Sequence, residues 1–250
     1  MIASAWRVVG ASVRGASHLR SGHPCQDAHS WRRVGDLLVA AVADGAGSAP
    51  LAELGSCVAA HGAVEAAATR LEQAIPTDDA GWQALLEGVL ETTRQAVQAE
   101  AARCQRSLAD LATTLLVAIV GDHFVSACQV GDGAIVARLR DDSFLAATRP
   151  PSGEYINETT FLTSNNYLAA TQFVTLRQRI NGMILLSDGL QMLALKMPTG
   201  TPHLAFFAPL LQFAALADPG RAQGQLQRFL QSPRIIQRAD DDLTLLLAVR

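Results

Sequence analysis

Apolar residues along this chain fall into runs of two kinds. Residues 6–14, about 27–33 and 36–43 read as short extended runs, and the last, LLVAAVA after Asp36, is continuous enough in Leu, Val and Ala to be buried on both faces. The period then changes. Pro50 suits a first helical turn, and residues 51–75 carry Leu, Ala and Val at helical spacing. After a turn around 76–81, residues 82–109 repeat the helical period through Trp82, Leu85, Leu86, Val89, Leu90, Val97 and Ala101, which predicts an antiparallel helix pair. From Ala112 the pattern is β-rich again. TTLLVAIV, FVSACQV and AIVARLR are separated by Gly121-Asp122-His123 and Gly131-Asp132-Gly133, and both separators read as hairpin turns of an antiparallel meander. Residues 147–170 are polar and loop-like, strands are expected at 171–178 and 182–187, helices at 189–195, 204–216 and 221–231, and a closing strand at 243–249.

Strands, then helices, then strands with tight turns predict an α+β fold with antiparallel sheets. The βαβ alternation of a dinucleotide-binding fold is missing, as is any Pro/Ser-rich linker, so residues 1–250 read as a single domain. With 49% hydrophobic residues in 250, the chain can bury a full core. A net charge of -3, a pI near 6.1 and near-absence of Lys leave no basic footprint for nucleic acid. The N-terminus is interrupted by Arg7 and Arg14, and the longest apolar runs reach about half a membrane span, so neither secretion nor membrane insertion is expected. Cys25, Cys57, Cys104 and Cys128 are widely spaced without a CxxC pair, as reduced thiols of a cytoplasmic protein would be.

Chemistry enters at the strand ends. VAAVADG ends on Asp44-Gly45, SACQVGDG contains Asp132-Gly133, MILLSDG ends on Asp188-Gly189, and Asp240, Asp241 and Asp242 precede the last strand. Any one Asp-Gly is most simply a turn, because Asp bonds to its own backbone and Gly accepts positive φ. Asp188 could equally cap a helix beginning near Leu190, and the aspartate triplet could be a solvated loop. Recurrence supports another reading. If the strands pack side by side, the carboxylates converge at one edge, where their mutual repulsion calls for hard divalent cations such as Mg²⁺ or Mn²⁺; zinc would want clustered His or Cys. A third reading, Gly45-Ala46-Gly47 cradling a pyrophosphate ahead of the helix from Pro50, lacks the third glycine of that fingerprint.

Taken in order, GHPCQDAHSW (22–31), VADGAG (42–47), LATTLLVA (111–118), VGDGAIVARL (130–139), LLSDGL (185–190) and DDLTLLLAV (241–249) resemble the motifs of the metal-dependent protein phosphatases of type 2C in their bacterial form. The resemblance spans nearly the whole chain. It implies a four-layer αββα sandwich of two antiparallel β-sheets flanked by helices. It also implies a protein serine/threonine phosphatase in which a metal-activated water attacks phosphoserine or phosphothreonine. By the same resemblance, Asp44 would bridge two ions of Mn²⁺ or Mg²⁺, Gly45 would offer its carbonyl, Asp188 and Asp241 would hold the second ion, Asp27 would order metal-bound water, and Asp132 with Asp188 would take a looser third ion. Phosphoprotein substrates and an opposing serine/threonine kinase would be its partners.

Three departures matter. Gln26-Asp27 stands where the family has Glu-Asp, and Gly22 stands where it has a phosphate-holding arginine, leaving Arg20 and His23 as the nearest substitutes; Ala46 stands where some relatives carry a histidine. These departures motivate the alternative of a catalytically weak or inactive phosphoprotein-binding module. Residues 152–165 occupy the place of the family's variable flap, readable as substrate selection or as an ordinary surface excursion. His18 and His61 are read as structural.

Overall fold

The computed structural model describes residues 6–151 and 159–250. In chain order its elements are β1 (Arg7–Val13), α1 (Ala16–Ser21), β2 (Asp27–Val34), β3 (Leu37–Asp44), α2 (Ala52–Gln73), α3 (Asp79–Arg103), β4 (Leu115–Val120), β5 (Val125–Val130), β6 (Ala134–Leu139) and β7 (Phe144–Thr148). There follow α4 (Tyr167–Ala170), β8 (Gln172–Leu176), β9 (Ile180–Leu186), α5 (Gln191–Ala194), β10 (Leu195–Lys196), β11 (Thr201–Pro202), α6 (Leu204–Leu216), α7 (Pro219–Leu230), α8 (Pro233–Ile236) and β12 (Leu243–Val249). Short 3₁₀ turns occupy Leu108–Leu111 and Asp188–Leu190.

Two five-stranded antiparallel sheets form, in the orders β1-β12-β9-β6-β7 and β2-β3-β4-β5-β8. Three apolar layers hold them. Leu38, Val42, Leu116, Val120, Ile135, Leu185 and Leu246 fill the space between the sheets. The opposite faces of β3 and β4 pack Val39, Val117 and Ile119 against Val64, Leu86 and Leu90 of α2 and α3. On the far side, Ile184, Leu245 and Leu247 meet Phe207, Leu211 and Leu226 of α6 and α7. Strands such as LLVAIV (β4), buried at all six positions, are therefore covered on both faces, which is why they read as continuous apolar runs rather than alternating ones. Each such Leu, Val or Ile contributes about 1.5–3 kcal/mol by its burial.

Two expectations need correction. Gly131-Asp132-Gly133 is not a hairpin turn between paired strands: β5 pairs with β4 and β8, whereas β6 pairs with β9 and β7, so this loop carries the chain from one sheet to the other. Gly131 makes the crossing at φ +109, where a Cβ would also lie 2.5 Å from the Thr114 side chain. The helix expected over 82–109 ends at Arg103, because Gln105 turns to φ 57 and the Arg106 N–H folds back onto the Ala101 carbonyl. Among the described residues, no helix is long and apolar enough to cross a membrane.

Candidate active site

The fold gathers strand ends from both sheets at one edge. In the β2–β3 pair, Asp27 lies directly opposite Asp44. Asp44 is held by its backbone. Its N–H donates to Thr114 Oγ1 at 3.0 Å, and its carbonyl accepts from the Thr114 N–H at 2.8 Å and Thr113 Oγ1 at 3.0 Å. The Thr pair of LATTLLVA thus clamps Asp44 and leaves its carboxylate to the site. A glycine must follow, because a Cβ on Gly45 would stand 2.5 Å from the Ala52 carbonyl oxygen and 2.8 Å from that of Gln26. The Gly45 carbonyl itself accepts no hydrogen bond among the described residues.

Ser187 ties the second sheet to the first. Its Oγ donates to Asp27 Oδ2 at 2.7 Å and accepts the Thr244 N–H at 3.0 Å, joining the ends of β2, β9 and β12 and placing Asp188 beside Asp44. The loop before β12 is anchored by Asp242, 1% exposed, whose carboxylate accepts the Gly15 N–H at 2.7 Å and the Gln26 N–H at 2.6 Å. Gly189 lets this loop close in, since a Cβ there would lie 2.2 Å from the Asp242 carbonyl oxygen. Asp241 is exposed, with Oδ1 accepting the Asp242 N–H at 2.8 Å.

Electrostatics mark the place. Asp44 lies within hydrogen-bonding reach of both Asp27 and Asp188, and Asp241 adds its charge. Burial first, and these like charges second, hold the Asp44 carboxyl well above the usual carboxylate range. Burial likewise pushes Asp27 up to about 7 and Asp188 up to about 6, the latter with help from Asp132 and Asp241. Among the described residues, no Lys, Arg or His forms an ion pair with Asp27, Asp44 or Asp188. Asp27 Oδ1, Asp188 Oδ1 and Gln26 Oε1 are buried without a hydrogen-bond partner. Uncompensated carboxylates of this kind are costly in a fold and suit a hard divalent cation bound by oxygen.

Asp132, at the crossover, accepts Thr159 Oγ1 at 2.8 Å through Oδ2, and its carbonyl accepts Gln191 Nε2. It shares with Gly131, Thr159, Thr160, Asp188 and Gln191 a cleft of about 340 Å³. Residues 152–158 of the expected flap lie outside the described residues, but its far end borders the site, with Leu162 buried and its N–H on the Thr113 carbonyl at 2.8 Å. Arg20 and His23 stand at the outer margin: Arg20 approaches Asp240 at 3.5 Å on the surface, and exposed His23 bonds Ser21 at 2.8 Å.

His18, read as structural in the sequence, lies at the margin of the site. Its Nδ1 lies 2.8 Å from Asp242 Oδ2, off the line of a hydrogen bond, and His18, Asp241 and Asp242 each bring a potential ligand atom within 4.8 Å of the others. Since Asp242 already serves two backbone N–H groups, Asp241 is the freer of the two carboxylates. Burial, with Asp27 and Asp242 nearby, raises the Cys25 thiol well above its ordinary range, so it is no thiolate nucleophile.

The model for "Protein phosphatase 2C" matches residues 14–231. The chain belongs to that family. Within it, the chain is 34% identical over 253 residues, 98% of each chain, to serine/threonine-protein phosphatase 3 of Escherichia coli (strain K12). Solved structures share the fold at lower identity. The serine/threonine phosphatase Stp1 from Staphylococcus aureus superposes with a TM-score of 0.66 at 14% identity, covering 99% of this chain and 96% of that one. RsbX in complex with magnesium gives 0.55 at 16%, covering 98% and 94%.

The raised carboxyls make a signed prediction for this 2C-type chain. A carboxyl whose pKa is higher folded than unfolded favours the fold while protonated and penalises it once ionised, so stability drains as pH climbs from about 4 through 6–7. Half-buried His29 works oppositely on the acid side, its pKa lowered by desolvation and by His61, so the metal-dependent increment is the cleaner readout. Thermal melts in chelator and in Mn²⁺ are expected to differ more at about pH 8 than at about pH 5.5, because the cation stabilises only ionised carboxylates.

Proposed function

We propose that this chain, a protein serine/threonine phosphatase of the 2C family, works through a pair of divalent ions, Mg²⁺ or Mn²⁺, held by Asp44, Asp188, Asp241 and the Gly45 carbonyl. A looser third ion would sit between Asp132 and Asp188. The observation that carries this reading is the convergence of buried Asp27 with half-buried Asp44 and Asp188, oxygens among them unpartnered and, among the described residues, no cationic side chain paired to them. Bound there, the ions would lower the pKa of a shared water and neutralise the phosphoryl oxygens of phosphoserine or phosphothreonine.

The chain's own residues supply the rest. Asp27, fixed by Ser187 through Oδ2, keeps its Oδ1 without a partner and would accept a proton from a water beside Asp44. Thr113 and Thr114 keep Asp44 from swinging away, and Asp242 fixes the loop that presents Asp241. The cleft between Asp132 and Thr160 is the path by which a phosphorylated side chain would enter. Gln26 withholds the charge a glutamate would bring, which favours weaker retention of one ion rather than loss of the site. Since the substrate is a phosphorylated side chain, a serine/threonine kinase must supply it. Phosphate release from a phosphothreonine peptide is expected with Mn²⁺ or Mg²⁺, to vanish in chelator and to return when either ion is restored. Turnover that survives chelation would contradict the proposal.

A further inference from the structure

A hollow of about 810 Å³ opens among α6, α7 and α8, on the outer face of the β1-β12-β9-β6-β7 sheet. Its floor and one wall are apolar, built from Leu193, Phe206, Leu210, Phe213, Leu226 and Phe229. Its other margin carries Arg228, Arg234 and Arg238, all exposed, none with an ion-pair partner among the described residues. The stretch 189–239 holds Lys196, Arg221, Arg228, Arg234 and Arg238 against a single carboxylate, Asp218, in a chain whose net charge is -3. Apolar surface is exposed at the hollow and past it, with lining Phe229 37% and neighbouring Leu204 57% exposed. The walls are long enough to matter: α6 has 13 residues and α7 has 12, about 20 and 18 Å of helix.

We propose that this groove docks an acidic amphipathic helix of a partner protein. Leu, Phe or Met side chains at i, i+3 or i+4, and i+7 would fill the hollow, and carboxylates on one flank would meet the three arginines. Three guanidiniums without internal partners match an occupant carrying several negative charges, which a single-carboxylate lipid does not supply. The groove shares no lining residue with the cleft at the carboxylate cluster. Leu193 follows Asp188 by five residues and Arg238 precedes Asp241 by three, so the lining of the groove is continuous along the chain with both loops that carry these carboxylates. This goes beyond the phosphatase reading, and its test reads binding rather than turnover.

The probe is a fluorescein-labelled designed peptide of about 18 residues, enough for the groove's length, with Leu and Phe at the anchor positions and Glu on the flanks. Anisotropy is expected to show saturable binding that weakens as salt rises. Binding should fall by about tenfold or more in Arg228→Glu/Arg234→Glu/Arg238→Glu and in Phe229→Glu, surface changes whose thermal melts should match the parent. A peptide with Lys replacing Glu should not bind. No saturable binding across a panel of anchor residues, or equal binding by the triple variant, would overturn the proposal. So would self-association abolished by Phe229→Glu in sedimentation, which would assign the groove to a second copy. Saturable oleate binding without peptide binding would assign it to a lipid and overturn the proposal too.

Discussion

Asp44→Asn is expected to cut phosphate release by on the order of 10³-fold, the scale lost when one preorganised electrostatic contact to a transition state is removed. The same substitution should leave the metal-free protein more stable, not less, at neutral and alkaline pH. Asp44 is half-buried beside Asp27 and Asp188, and among the described residues no cationic side chain pairs with it, so its ionised form opposes the fold. An amide of nearly the same shape removes that opposition and keeps the backbone bonds to Thr113 and Thr114. A residue that stabilised the fold by packing would show the reverse. Steady-state turnover with Mn²⁺, paired with thermal melts in chelator, checks both halves, and a metal-free melt that drops would argue that Asp44 is structural.

Asp242→Ala should do the opposite. This carboxylate accepts two backbone N–H groups and lies against His18, all at the core edge of the site. Removing it strands the Gly15 and Gln26 donors, at a cost of about 3–5 kcal/mol, as when one partner of a buried polar cluster is lost. For a chain of this size that is about 6–20 °C in Tm. Activity should fall as well, because Asp241 would lose the loop geometry that presents it. Urea unfolding measures the loss directly. A change under about 1 kcal/mol would show that the loop before β12 is held by other contacts. Neighbours in sequence, Asp241 and Asp242 are thus expected to separate cleanly, one to binding metal and one to holding shape.

Much of this could be read in the amino acids because the strands are long, apolar and covered on both faces. β12 and α6 begin and end where their patterns do, at 243–249 and 204–216. The aspartates that close these strands were legible for the same reason: a carboxylate at the end of an apolar run is conspicuous. What local pattern does not encode is partnership. Gly131-Asp132-Gly133 has the composition of a reversal, but whether the next strand returns to its neighbour or crosses to the other sheet is decided by packing far along the chain, by β8 claiming the edge of β5 and β9 the edge of β6. Elements of two to six residues, such as α1, α4, α8 and the β10–β11 pair, are too short to show a period. His18 reads as structural in the sequence because its contact, Asp242, is separated from it by most of the chain.

Carboxylates from both sheets are expected to share divalent ions. Anomalous diffraction at the manganese edge, from crystals soaked in Mn²⁺, tests this directly. Two strong peaks sharing Asp44, one of them also contacted by Asp188 and Asp241, are expected. An absence of peaks at Asp44, with manganese found only on outlying surface carboxylates, would contradict it.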